Sequence, residues 1–251
     1  MKAHTRKTLD RALSRAGLFS RSAARAAVQA GRVTVNGRLV RDPDAWVDPA
    51  RDRLACDGQA VRAAEKRYLM LHKPPGYVTT RSDERGRATV YDLLPSDLPW
   101  LAPIGRLDRE SSGLLLFTND SDFADAITDP RTHVEKTYIA RCRGQLDEEA
   151  CRRLAFGVDL ADGPTREARV RILGRDSKTT SLELTITEGR NRQVRRMVAA
   201  IGSKVLALHR RAIAGIEVAE LAVGAVRALR SAEVRSLRDA ARRRGSSSRS
   251  P

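Results

Sequence analysis

The chain has 251 residues, 41% of them hydrophobic, which permits two modest domains and a sizeable buried core in at least one. Lys and Arg number 47 against 31 Asp and Glu, a formal net charge of +16, and so many cations repel one another unless an anionic partner, nucleic acid first, neutralises them; a solvated basic surface would give the same total, so the distribution of charge has to decide. No stretch approaches a membrane span and the N-terminus has no apolar signal core, while Cys56, Cys142 and Cys151 and the four His (4, 72, 133, 209) are scattered, so a cytoplasmic protein with no membrane association, no disulfide framework and no metal site is expected.

Leu9, Ala12, Leu13 and Ala16 recur at i, i+3, i+4, i+7 and predict a short helix with one apolar stripe, with Arg11 and Arg15 on another face and Gly17 as its stop. A second helix is expected from Ser20 or Ser22, as N-cap, to about Ala30, ending at Gly31. Val33 to Val40 follows as a hairpin turning at Asn36-Gly37. Residues 1–62 hold 13 Lys or Arg against 6 Asp, a net +7 in about a quarter of the chain, so positive charge is concentrated here. Residues 63–66 read as a linker.

Beyond it, strands are expected at Tyr68–His72, Leu114–Thr118, Thr137–Arg141, Glu167–Leu173, Ser181–Thr187 and Val205–Arg211, with helices near 121–128, 147–155 and 192–201. The alternation is too irregular for a doubly wound fold and no G-x-G-x-x-G is present, so residues 67–241 read as an α+β domain with flanking helices on a mixed, mainly antiparallel sheet. Residues 242–251, Arg, Ser and Gly up to a final Pro, have nothing apolar to bury and are expected to be a disordered basic tail adding non-specific RNA affinity.

The segment from Leu9-Asp10-Arg11 to Gly31-Arg32-Val33-Thr34-Val35-Asn36-Gly37 resembles the S4 RNA-binding domain over about 55 residues. That resemblance implies a helix pair presenting Arg11, Arg15, Arg21, Arg25 and Arg32 to phosphates of structured RNA, although each arginine alone is equally compatible with ordinary surface.

The most informative run is Gly105-Arg106-Leu107-Asp108-Arg109-Glu110-Ser111-Ser112-Gly113-Leu114-Leu115-Leu116-Phe117-Thr118-Asn119-Asp120, a charged loop running into an apolar strand. Alone, Asp108 reads as a turn or cap residue. In context the run resembles the G-R-L-D-x-x-[ST]-x-G-L-L signature of pseudouridine synthases. Lys73-Pro74-Pro75-Gly76-Tyr77, Glu135-Lys136-Thr137-Tyr138 and Glu188-Gly189-Arg190-Asn191-Arg192-Gln193-Val194-Arg195-Arg196-Met197 follow in the order that family expects. With the S4-like segment, the chain is similar to the S4-domain-containing rRNA pseudouridine synthases of the RsuA/RluB type. It departs from them at Asn119-Asp120-Ser121, where many members have glycine after the aspartate.

The resemblance implies roles. Asp108 takes the nucleophile's place, Arg195 pairs with it, and Tyr138 stacks on the target base. An adjacent guanidinium favours the carboxylate form and orients it, as a nucleophile needs. On pattern alone Tyr138 and Leu208 are equally ordinary core residues; by resemblance Leu208 closes the base pocket. Arg106, Leu107, Lys73, Lys136, Arg190, Arg192, Gln193 and Arg196 complete the expected substrate-binding set, Lys73 as a loop lysine facing RNA phosphate. Val194, Met197, Val198 and Ile201 at i, i+3, i+4, i+7 would pin a helix to the core and leave Arg192, Arg195 and Arg196 pointing away from it.

A uridine inside folded RNA has to be flipped out, at a few kcal/mol of unstacking, before a side chain reaches it. The expected function is isomerisation of one or a few uridines in ribosomal RNA, large-subunit 23S favoured over small-subunit 16S, on naked rRNA or an assembly intermediate. A monomer without metal or small-molecule cofactor is expected. The competing class is a non-catalytic RNA-binding or ribosome-assembly protein. Another RNA-acting enzyme would need a carboxylate metal cluster or a glycine-rich nucleotide loop, and neither pattern occurs.

Overall fold

The structure is a computed structural model and describes residues 6–62 and 64–243. The chain divides into two compact units. The first runs up to Arg67 and takes in Pro95–Ala102 and Phe117–Ser121; the second comprises Tyr68–Leu94, Pro103–Leu116 and the chain from Asp122 onward. The two inserted segments of the first unit lie within what reads by sequence as a single catalytic stretch.

In the first unit, helix α1 (Leu9–Arg15) and helix α2 (Arg21–Gln29) pack through Leu9, Leu13, Ala24 and Val28 onto a sheet of β1 (Val33–Val35), β2 (Arg38–Leu39), β3 (Leu54–Cys56) and β4 (Gln59–Ala60), ordered β2-β1-β3-β4. The Ser20 hydroxyl caps α2 by accepting from the Ala23 N–H. Asn36 and Gly37, both at positive φ, make the turn of the β1–β2 hairpin.

Charge organises the helix pair as much as the core does. Asp10, wholly buried on α1, accepts hydrogen bonds from Thr8, the Arg11 N–H, Arg21 and Arg25, and Arg25 also pairs with Asp44 at 2.8 Å. Burial opposes ionisation, but these donors outweigh it and hold the Asp10 carboxyl at about 2. Arg32 pairs with Asp57 at 2.5 Å. Of the five arginines expected to meet RNA phosphate, Arg21, Arg25 and Arg32 pair with carboxylates within the unit; Arg11 is exposed and Arg15 half-buried. The stretch read as a linker is tied down as well: the Ala64 N–H donates to the Ala16 carbonyl, Asn119 bonds the Glu65 carbonyl and the Arg67 N–H, and Lys66 pairs with Asp120; Ala63 lies outside the described residues.

The second unit is built on β5 (Tyr68–Lys73), β6 (Ser111–Thr118), β7 (Lys136–Arg143), β8 (Arg169–Arg175), β9 (Thr179–Ile186), β10 (Val205–Ile213) and β11 (Val226–Ala228), ordered β8-β9-β7-β10-β6-β5-β11. The β8–β9, β7–β9, β7–β10 and β5–β11 pairs are antiparallel, while β6 runs parallel to β10, as the α+β expectation requires. At the parallel junction Gly113 (φ +106°) sits so close to β10 that a Cβ there would lie 2.2 Å from the Arg210 carbonyl oxygen, so no side chain fits.

Helices α3 (Ser121–Thr128) and α6 (Ser231–Arg243) contribute Phe123, Ile127, Leu237 and Ala241 to a core with Met70, Leu114, Leu116 and Ile213. Between β7 and β8 comes α4 (Glu148–Phe156), and between β9 and β10 comes α5 (Gln193–Ala200), whose Val194, Met197 and Val198 are buried as their spacing predicts. Helix α6 is absent from the sequence reading and carries regular structure to Arg243, past position 242 where a disordered tail was expected; residues 244–251 lie outside the described residues.

Candidate active site

A turn closed by the Ser111 N–H on the Asp108 carbonyl, 3.0 Å, places Asp108 just ahead of β6. Its carboxylate meets Arg195 of α5 at 3.4 Å and Arg192 at 3.6 Å; Arg192 also approaches Glu110 at 3.8 Å. Arg192 adopts φ 48°, a left-handed conformation uncommon for a residue with a Cβ, and the kink starts α5 with both guanidinium heads toward Asp108. Arg195 further reaches the Ser111 hydroxyl and the Val205 carbonyl, both at 3.3 Å. Of the three arginines expected to point away from the core, Arg195 departs from the expectation: it is only 13% exposed, because its stem lies against the fold while its head is used by the site.

The loop around Asp108 is fastened through its backbone. Lys73, on β5, donates from Nζ to the carbonyls of Pro74, Asp108, Arg109 and Ser111 at 2.7–3.3 Å, and Gly76 N–H donates to the Arg109 carbonyl at 2.7 Å. The Thr79 hydroxyl donates to the Leu107 carbonyl and accepts from the Leu107 N–H. Arg210 donates to the Leu114 carbonyl at 2.8 Å and to the Arg106 carbonyl at 3.4 Å. Lys73 therefore does not face RNA phosphate. It is wholly buried, and burial, opposed by Asp108 and Glu110, pulls its pKa down to about 8.

Strand register brings the remaining residues to one face. Tyr138 lies opposite Arg210, Ala140 opposite Leu208, and Leu208 beside Ser111, and directly paired residues share a side of the sheet. Tyr138 and Leu208 are 8% and 7% exposed. Since Ser111 receives the Arg195 hydrogen bond, this is the face served by α5. Lys136, two residues before Tyr138, is half-buried and donates to the Val134 carbonyl; burial first, then the charge of Arg210, lowers its pKa to about 8.

Arg190, Gln193 and Arg196 are used differently from the expectation. Arg190 binds Glu188 and the carbonyls of Gly163 and Pro164, Gln193 donates to buried Glu188, and Arg196 forms a two-point pair with Asp162. They lash the 188–193 loop to the Asp159–Pro164 hairpin and so hold the start of α5. Arg106 is exposed and Leu107 buried.

Beside Asp108 opens a cleft of about 410 Å³ whose other wall is the segment from Val78 to Arg87. Asp83 folds this wall by accepting from the N–H groups of Arg85 and Arg87 and pairing with the Arg87 guanidinium. Sequence reasoning missed this wall, Thr79 and Arg210. Thr79-Thr80-Arg81-Ser82-Asp83 looks like a solvated turn, and its one usable signal is its position six residues after Lys73.

The RNA pseudouridylate synthase family matches residues 67–200 and the S4 domain matches residues 7–50. The chain is 38% identical to ribosomal large subunit pseudouridine synthase B of Bacillus subtilis (strain 168), covering 92% of this chain and 95% of that protein. It is also 38% identical to an uncharacterized RNA pseudouridine synthase of Aquifex aeolicus (strain VF5), covering 91% and 92%. A crystal structure of a pseudouridylate synthase superposes with a TM-score of 0.68 at 32% identity, over 92% of this chain and 99% of that one. With this family match, and identity of 38% over most of both chains, the chain belongs to the RNA pseudouridine synthases, isomerases that here carry an N-terminal S4 domain.

Proposed function

We propose that this protein acts in the cytoplasm on ribosomal RNA, isomerising one or a few uridines of the large-subunit 23S rRNA with Asp108 as nucleophile. The observation that carries the reading is the Asp108–Arg195 pair, with Asp108 on a backbone-fastened loop that lines a cleft and Arg195 bonded to Ser111, whose strand neighbour is Leu208 on the face that bears Tyr138. The large-subunit preference rests on the Bacillus subtilis relative, whose name states that target.

In this reading the uridine leaves its stack, the base lies against Tyr138 with Leu208 behind it, and the carboxylate of Asp108 reacts while Arg195 orients it. The glycosidic bond breaks, the uracil turns, and C5 replaces N1 on the ribose. Substrate and product are isomers, so the balance calls for no oxidant, reductant or co-substrate. Arg106 and Arg192, whose heads are exposed, and Arg11 on the S4 unit are the side chains we assign to RNA phosphate.

A carbodiimide primer-extension map of pseudouridine across both rRNAs, from cells with and without the protein, tests the proposal. Loss of one or a few 23S stops is the expected result. Loss in 16S would move the target to the small subunit, and an unchanged map would leave a tRNA substrate or an RNA-binding role in ribosome assembly.

A further inference from the structure

The positive charges around Asp108 are not all answered. Arg195 and Arg192 have the carboxylate, and Lys73 is absorbed by four carbonyls. Arg210 and Lys136 are left over. Arg210 is 3% exposed, its Nη2 has no hydrogen-bond partner, and neither residue enters an ion pair among the described residues. Lys136 has one carbonyl, that of Val134, and feels the charge of Arg210. Two like charges near each other, one buried with an orphaned donor and the other half-buried, make an arrangement that folding alone does not favour.

Their placement indicates what answers them. Arg210 is the cross-strand partner of Tyr138 and Lys136 stands two residues before it, so the two cations flank the tyrosine on one sheet face. Uracil carries its carbonyl oxygens, O2 and O4, on either side of N3. When the C1′–N1 bond breaks, its electron pair leaves with N1 and the charge spreads over N1, O2 and O4. At the same time C1′ gains a bond from an Asp108 oxygen or an alkene bond through loss of the C2′ proton. After the base turns, C5 gives an electron pair to C1′ as the C1′–O bond to Asp108 breaks and the carboxylate is released, or as the alkene regains its proton at C2′; the C5 proton then departs to water or a base, so the anion is transient.

We infer that Arg210 and Lys136 form an oxyanion site for the departing uracil, donating hydrogen bonds to its carbonyl oxygens as negative charge builds there. The assignment rests on the proposed seating of the base at Tyr138. Preorganised donors aimed at developing charge stabilise a transition state more than the bound substrate, so the effect falls on the chemical step.

The test compares full-length rRNA transcripts made with uridine and with 5-fluorouridine, the fluorine stabilising the same uracil anion through the ring. Single-turnover loss of the N-linked nucleoside is followed by mass spectrometry of digested RNA, and filter binding reports affinity. Lys136→Met and Arg210→Met are each expected to slow the uridine reaction by about 100-fold with affinity within about twofold, and the deficit is expected to shrink to under about tenfold on 5-fluorouridine RNA. A deficit equal on both RNAs would overturn the inference and leave Arg210 as a clamp of the loop. Lys136→Met, which breaks only one hydrogen bond to the backbone, decides the matter if Arg210→Met does not fold. A wild-type protein that leaves every uridine intact in both transcripts would instead remove the functional reading, and this inference with it.

Discussion

The hydroxyl of Thr79 is hydrogen-bonded to both backbone groups of Leu107, donating to its carbonyl at 2.7 Å and accepting from its N–H at 3.2 Å, and so holds the residue immediately before Asp108 from either side. Thr79→Val removes both bonds and keeps the shape. Because displacement of a reacting group by about 1 Å costs on the order of 100-fold, kcat is expected to fall ten- to a hundredfold with little change in KM, and Thr79→Ser is expected to restore most of it. Steady-state pseudouridine formation by the two variants checks this; equal losses in Ser and Val would remove the role of the hydroxyl.

Asp108→Asn keeps the size of the side chain and removes the charge that Arg195 and Arg192 face. Turnover is expected to vanish while RNA affinity stays within about threefold, since most protein–RNA affinity comes from phosphate contacts elsewhere. Retained turnover would show that another group is the nucleophile.

The two arginines on Asp108 differ in burial, Arg195 at 13% exposed and Arg192 at 48%. Arg195→Lys is expected to lower kcat by roughly 100-fold, because Arg195 meets Asp108, the Val205 carbonyl and Ser111 from Nε, Nη1 and Nη2 in turn, and a single Nζ cannot occupy those three places of a planar fork. Arg192→Ala is expected to lower it less than tenfold and to act mainly on binding. Single-turnover rates at saturating enzyme separate the two.

Asp10 makes stability depend on pH. Its folded pKa, about 2, lies below the ordinary 3.8, so its contribution is complete above about pH 4 and disappears as the pH falls through 4 toward 2. Allowing for solvent around the arginine heads, Asp10→Asn is expected to destabilise the S4 unit by on the order of 1 kcal/mol at pH 7. The gap in urea midpoint between wild type and variant should then close between pH 4 and 2; a gap independent of pH would mean that charge is not its source.

Ion pairing also divides the S4 arginines by function. Arg25→Ala, which strips Asp10 and Asp44 of a partner, is expected to lower the melting temperature. Arg11→Ala, with an exposed head, is expected to leave it unchanged and to reduce the slope of log affinity against log salt by about one. Thermal melts and a salt titration of rRNA binding distinguish the two.

What the sequence made legible was periodic or local. The stripes of α1 and α5, the Asn36-Gly37 turn and the apolar run into β6 appear where their patterns predict, because each is decided within a few residues. The pairing of Asp108 with Arg195 was available only through family resemblance, since 87 positions separate them in the chain. Lys73 was misread because a lysine before two prolines looks like exposed loop; its burial depends on carbonyls from residues 108 to 111 turning toward it. Arg21, Arg25 and Arg32 look like surface charge until Asp10, Asp44 and Asp57 are brought to them. Helix α6 escaped notice because its buried Leu237 and Ala241 are diluted by arginines that give the segment a polar look.

Four carbonyl oxygens converging on one cation is an arrangement that loops elsewhere complete with a hard metal ion. Here the cation is the ammonium of Lys73, a covalent part of the chain. It cannot be chelated, exchanged for a metal ion or diluted away, so the shape of the Asp108 loop is inherited at synthesis and, with the ammonium's pKa drawn down to about 8, answers to the proton and to no metal that the surrounding solution supplies.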